Sequence, residues 1–184
     1  HRVTAIPEGI KVHRKARGTA VGDTLFEGFT SPDSVLGRIL DEDPTLAAKV
    51  RAAKSVMQVI GSVADPPDLH YLRATIGIVQ AILDAGAVGV MDQAMHGWSA
   101  ESWVTEIFDP DEPSFTSLVS VLGSEDEQSR GDVWLHTRGM RLFGRPDLSI
   151  RGVTSDMGDA ATDLVMRFVN MQAVGGVIRD GQPV

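Results

Sequence analysis

Arg138, Arg141 and Arg145 crowd a segment punctuated by Gly139, Gly144 and Pro146, and Arg151 follows on the next extended stretch. A guanidinium presents a fixed fork of N–H donors that matches a carboxylate or phosphate, and glycines let backbone amides approach an anion. The chain as a whole carries a formal charge of −8, so this local excess of positive charge runs against the general trend. The three arginines are therefore the candidate binding residues for an anion or an acidic partner. A structural reading competes with this one. In it the segment pairs internally with Asp147 while Met140, Leu142 and Phe143 plug a core.

A second group has the chemistry of acids, bases and metal ligands. Asp65 and Asp92 each follow an apolar run, His96 lies just beyond Asp92, and His70 and His136 supply further imidazoles. Carboxylate and imidazole together can hold a divalent cation or move a proton near neutrality. Each also has a plainer use. Asp65 precedes Pro66-Pro67 and fits a helix cap. The Asp92-x-x-x-His96 spacing falls in a Gly-containing loop instead of a helix face, where it would have aligned two ligands. His136 alternates with Trp134 and Arg138 along one strand face, where a lone histidine is more often structural. Asp92, His96 and His136 thus rank as catalytic candidates behind the arginine loop. The chain has no cysteine, which excludes thiol nucleophiles, disulfides and zinc–thiolate sites. It also has no Gly-x-Ser-x-Gly elbow, phosphate-binding Gly-rich loop or His-Glu-x-x-His helix, so enzymes built on those motifs are disfavoured. No metal and no cofactor is expected.

The elements that must position these groups are clearest after Lys54. Ser55 to Val63 is a Val- and Ile-rich run, apolar on both faces, as in a central strand. Asp65-Pro66-Pro67-Asp68 then starts a helix whose Leu69, Leu72, Ile76, Val79 and Leu83 form one stripe, closed by Gly86. Ala87 to Met91 is a second apolar run, so Ser55 to Met91 predicts a parallel β-α-β unit. Trp98 and Trp103 flank Ser99 as the two ends of a hydrophobic staple on a short helix reaching Phe108. Asp109 to Pro113 breaks that helix, Phe115 to Leu122 fits a helix or a strand, and Ser124 to Gly131 reads as an acidic loop. Val133 to Arg138 alternates cleanly, with Val133, Leu135 and Thr137 on one face. Leu148 to Val153 pairs with it. A last helix, capped by Ser155 or Asp156, carries Ala160, Leu164, Phe168 and Met171 on its stripe and ends at Gly175-Gly176. In the N-terminal third, short apolar pieces (Val3 to Ile6, Leu25 to Phe29) precede helices from Ser34 to Leu40 and from Pro44 towards Ala53, and their pairing is left open.

This order predicts an α+β fold, with one domain over residues 1–184, a core within 54–175, and helices packed on a mixed sheet that contains the β-α-β unit. At 184 residues with 42% apolar content, one well-buried core is the expectation. No apolar run reaches the length of a membrane span, and no secretory signal pattern opens the chain, so a cytoplasmic, membrane-free location is expected. The acidic field disfavours nucleic acid. The basic runs Lys11 to Arg17 and Arg138 to Arg151 read as solvated faces.

The segment Thr137-x-Gly139 followed by Phe143-Gly144-x-Pro146-Asp147-Leu148 resembles the signature of a family of uncharacterised bacterial α+β domains, over about Ser55 to Met171. That resemblance implies a fold, and by kinship with small bacterial immunity and interaction proteins it implies a non-catalytic module that recognises a protein partner or forms a homodimer. The alternative is a hydrolase of a phosphate- or carboxylate-bearing small molecule, using Asp65, Asp92 and His96 with the arginine loop. A deep pocket joining these groups would favour the enzyme.

Overall fold

Strand β1, Ile10–Ala16, runs antiparallel to β2, Ser55–Gly61, with Val12 opposite Val59 and His13 opposite Gln58. These strands belong to a computed structural model that describes residues 6–62, 69–100, 115–125 and 131–176. The described residues form two compact units, one holding the elements from β1 to the hairpin ending at Ser99 and the other the elements from Phe115 onward.

Between β1 and β2 the chain makes three helices, each started by a side-chain cap. Thr19 Oγ1 accepts from Gly22 N ahead of α1, Ala20–Thr30. Ser34 Oγ accepts from Gly37 N ahead of α2, Val35–Leu40. Asp43 Oδ1 accepts from Thr45 N and Leu46 N ahead of α3, Pro44–Ala52. A cap of this kind satisfies amides that the first helical turn leaves open. Leu40, Leu46, Ala47 and Val50 pack together, with Val88 and Trp98 against them. The indole Nε1 of Trp98 donates to the Leu36 carbonyl at 3.0 Å, tying the later hairpin to α2. Arg51 joins the helices: it donates to the Thr30 carbonyl at 3.0 Å and pairs with Asp41 at 2.6 Å. Its hydrogen bond holds the Asp41 carboxyl below the usual carboxylate range.

Helix α4, His70–Asp84, buries Leu72, Ile76, Ile78 and Leu83. It ends where Gly86 N donates to Leu83 O and Ala87 N to Ile82 O, the paired bonds of a glycine-terminated helix. The parallel β-α-β unit expected around it is not formed. β2 pairs antiparallel with β1, while β3, Val90–Asp92, pairs antiparallel with β4, Gly97–Ser99, in a separate sheet. The single mixed sheet is likewise replaced, among the described residues, by three small antiparallel ones. The physical reason is local competition. A tight turn brings β3 and β4 together at little loop-closure cost, and β2 already has its partner in β1, whose Lys11, His13, Arg14 and Lys15 hide the strand in a run of charge. The α+β class itself stands. Trp98 lies on β4, opposite Met91; Trp103, the helix to Phe108, the Asp65 cap and the 109–113 break lie outside the described residues.

In the second unit a 3-10 turn, Phe115–Leu118, leads into β5, Ser120–Glu125, so that Ser124 and Glu125 extend a strand instead of opening a loop. β5 pairs with β6, Val133–Arg138, which pairs with β7, Ser149–Val153, both antiparallel, with an irregularity between Val133 and Leu135. Helix α5, Gly158–Ala173, lies after a short turn at Ser155–Met157. Leu135, Val153 and Ala161 form a core that Val121, Val133 and Ile150 complete. The buried stripe of α5 is Ala161, Val165, Val169, Gln172 and Ala173, one position on from the expected Ala160, Leu164, Phe168 and Met171. Leu164 is 47% and Met171 37% exposed. Among the described residues no helix is long and apolar enough to cross a membrane.

Candidate functional site

The loop from β6 to β7 is fixed by its own side chains. Thr137 is 2% exposed, and its hydroxyl donates to Asp147 Oδ1 at 3.1 Å while accepting from Leu148 N at 2.8 Å. Asp147 Oδ1 also accepts from Met140 N at 3.2 Å, so one carboxylate holds both arms of the loop. A 3-10 turn, Met140–Phe143, fills the middle, with Met140 fully buried and Phe143 4% exposed. Gly139 and Gly144 flank this turn at φ +118° and +68°, angles that side-chain-bearing residues rarely adopt. A Cβ at Gly139 would also run into the Leu118 carbonyl. Thr137, Gly139, Phe143, Gly144 and Asp147 of the signature segment therefore each have a structural duty in this loop, and the segment describes a frame.

The backbone of Arg141 and Arg145 takes part in the turn, with Gly144 N donating to Arg141 O and Arg145 N to Met140 O, and the arginine side chains differ in exposure. Arg141 is exposed on the turn and Arg138 is half-buried at the end of β6. Arg145 is half-buried, and its guanidinium donates back to the Gly144 carbonyl at 3.3 Å. Asp147, Met140 and Phe143 build the loop, as the structural reading of this segment expects, and Arg141 is exposed on it.

Alternation along β6 turns Leu135 and Thr137 into the core and sends Trp134, His136 and Arg138 to the sheet's other face. There the Trp134 and His136 rings stack with centroids 4.4 Å apart and planes 26° from parallel. The Arg151 guanidinium of β7 sits 4.4 Å over the indole, a cation–π contact. Sequence alternation had placed Trp134 and His136 side by side, but Arg151 as their cover depends on the β6–β7 register and was not foreseen.

Asp92 and His96 serve the β3–β4 turn. Asp92 Oδ1 accepts from Ala94 N at 2.8 Å and Met95 N at 3.1 Å, the short-range bonding by which aspartate shapes turns. His96 is exposed and carries φ +55° within the same turn. Asp65 lies outside the described residues, and His70 is exposed at the start of α4. Among the described residues no group of three or more His, Asp or Glu is placed to hold a metal ion. A recess of about 230 Å³ beside α2, α3 and β4 is lined by Ile39, Leu40, Glu42, Asp43, Leu46 and Trp98 to Ala100. It is smaller than the usual ligand cleft of roughly 300–1,000 Å³, and neither Asp92 nor His96 borders it.

Set against family models, curated proteins and solved structures, the chain matches none.

Proposed function

We propose that the chain is a non-catalytic interaction domain that takes an acidic protein partner on the loop between β6 and β7. One observation carries this reading: Thr137, Asp147 and Phe143 lock the loop, while Arg141 projects from it and Arg138 stands at its root. A rigid loop loses little entropy when its side chains engage a partner, and guanidinium groups pair well with carboxylates. The hydrolase reading has less behind it, since Asp92 is engaged by two backbone amides of its own turn. The proposal extends to a bacterial module of the immunity or interaction kind working in the cytoplasm, on the likeness of the Thr137 to Leu148 segment to such domains.

The test uses a fluorescent deca-glutamate peptide. Binding by anisotropy is expected, weakening as salt rises, and Arg138→Ala with Arg141→Ala should abolish it while the melting temperature hardly moves. Unchanged peptide binding by the double variant would remove the loop from the interface.

A further inference from the structure

The outer face of β6 holds two polar atoms that the fold leaves unmatched. Trp134 Nε1 and His136 Nδ1 are both shielded from solvent and have no hydrogen-bond partner among the described residues. Folded proteins pair nearly all such atoms. Here the two belong to rings stacked on each other, so the deficit is concentrated in one place. An indole N–H only donates, and an imidazole Nδ1 that carries its proton also donates. What would satisfy both is a group with two acceptor atoms.

Charge narrows the choice. Arg138 lies on the same strand face as the two rings, and the Arg151 guanidinium is 4.4 Å over the indole. Guanidinium groups on the same face as two donors disfavour a cationic ligand and favour an anionic one. A carboxylate brings two oxygens, a plane that can lie along stacked rings, and the opposite charge. We infer that Trp134, His136 and Arg138 form a carboxylate site on the outer face of the three-stranded sheet, which receives an acidic side chain of the protein partner. The site deepens the acidic-partner reading and rests on it: the loop arginines attract acidic surface in general, and the two rings read one carboxylate within it. Entry requires the stack to part. Arg151 is an exposed side chain over the indole, so the approach to the ring pair from that side passes its guanidinium.

The experiment follows the indole N–H resonances of the whole ¹⁵N-labelled chain, which has 3 tryptophans; loss of one signal in Trp134→Phe assigns the resonance. The probes are sodium acetate, sodium phosphate and the deca-glutamate peptide. Acetate and peptide should each move the Trp134 signal saturably, and phosphate should move it less. Trp134→Phe and His136→Phe should each weaken peptide binding roughly tenfold, as loss of a charge-assisted hydrogen bond does. Arg141→Ala should weaken the peptide but leave the acetate response intact. A peptide that binds without moving the Trp134 signal would overturn the carboxylate site and spare the loop. An acetate response without any peptide binding would keep the site and overturn the acidic partner. A larger response to phosphate than to acetate would overturn the choice of carboxylate. Trp98→Phe and Trp103→Phe assign the same resonance by elimination and the response is read on the unaltered chain, so a Trp134→Phe variant that fails to fold does not remove the test.

Discussion

Thr137 and Asp147 stand ten positions apart and share a hydrogen bond across the base of a loop. Removing the hydroxyl leaves Leu148 N without its acceptor and Asp147 without one donor. Thr137→Val is therefore expected to lower stability by about 1–3 kcal/mol, the usual cost of orphaning a buried partner, and Phe143→Ala by about 3–5 kcal/mol; chemical denaturation reads both. Equal stability in Thr137→Val would show that the lock is dispensable. Phe143 was legible because a lone aromatic among glycines needs a core to anchor it. The bond from Thr137 to Asp147 was not, since nothing local relates two side chains at that separation.

Asp41 illustrates a different residue-scale effect. Its hydrogen bond to Arg51 lowers its pKa below the ordinary 3.8, so the pair's contribution is complete above that value and disappears as pH falls through the lower, folded one. The two side chains are 41% and 37% exposed, so solvent and salt screen the pair. Asp41→Asn should lower the melting temperature slightly at neutral pH, and the gap to the parent chain should close in strong acid. A gap that persists there would assign the effect to packing.

At the scale of elements, periodicity revealed which segments are helices more reliably than which face they bury. α5 was placed correctly but turned by one residue, because Leu164 and Met171 are as apolar as Val165 and Val169, and apolar content alone could not choose between the two stripes. Val169 is fully buried, so Val169→Ala should cost about 2 kcal/mol for its two lost methyl groups, whereas Leu164→Gln should stay within about 0.5 kcal/mol. A reversed order in thermal melts would restore the Leu164 stripe. β1 escaped notice because Lys11, His13, Arg14 and Lys15 mask its short apolar alternation of Ile10 and Val12. Without β1 in view, β2 had no evident partner except a later parallel strand.

Over the whole molecule, the described residues gather into two compact units, a division that composition gave no sign of because no linker-like tract separates them. Each unit has a core of its own: Leu40, Leu46, Ala47 and Val50 in one, Leu135, Val153 and Ala161 in the other. Local opening is expected to follow that division. In the Val169→Ala variant, amide hydrogen exchange should quicken across β5 to β7 and α5 and change little in α3 and α4. Uniform quickening would make the chain one cooperative unit.

The lock between β6 and β7 also bears on inheritance. Thr137, Gly139, Phe143, Gly144 and Asp147 are constrained by side-chain bonds, burial or backbone angle, while Arg138 and Arg141 enter the loop's bonding through their backbones. Scaffold and cargo are thus written at interleaved but separate positions of one short stretch. Descendants of such a chain can exchange what those two positions display without having to solve the folding of the loop again. Kinship among its relatives would then be visible in the scaffold, and their differences in what they recognise would be confined to the letters between.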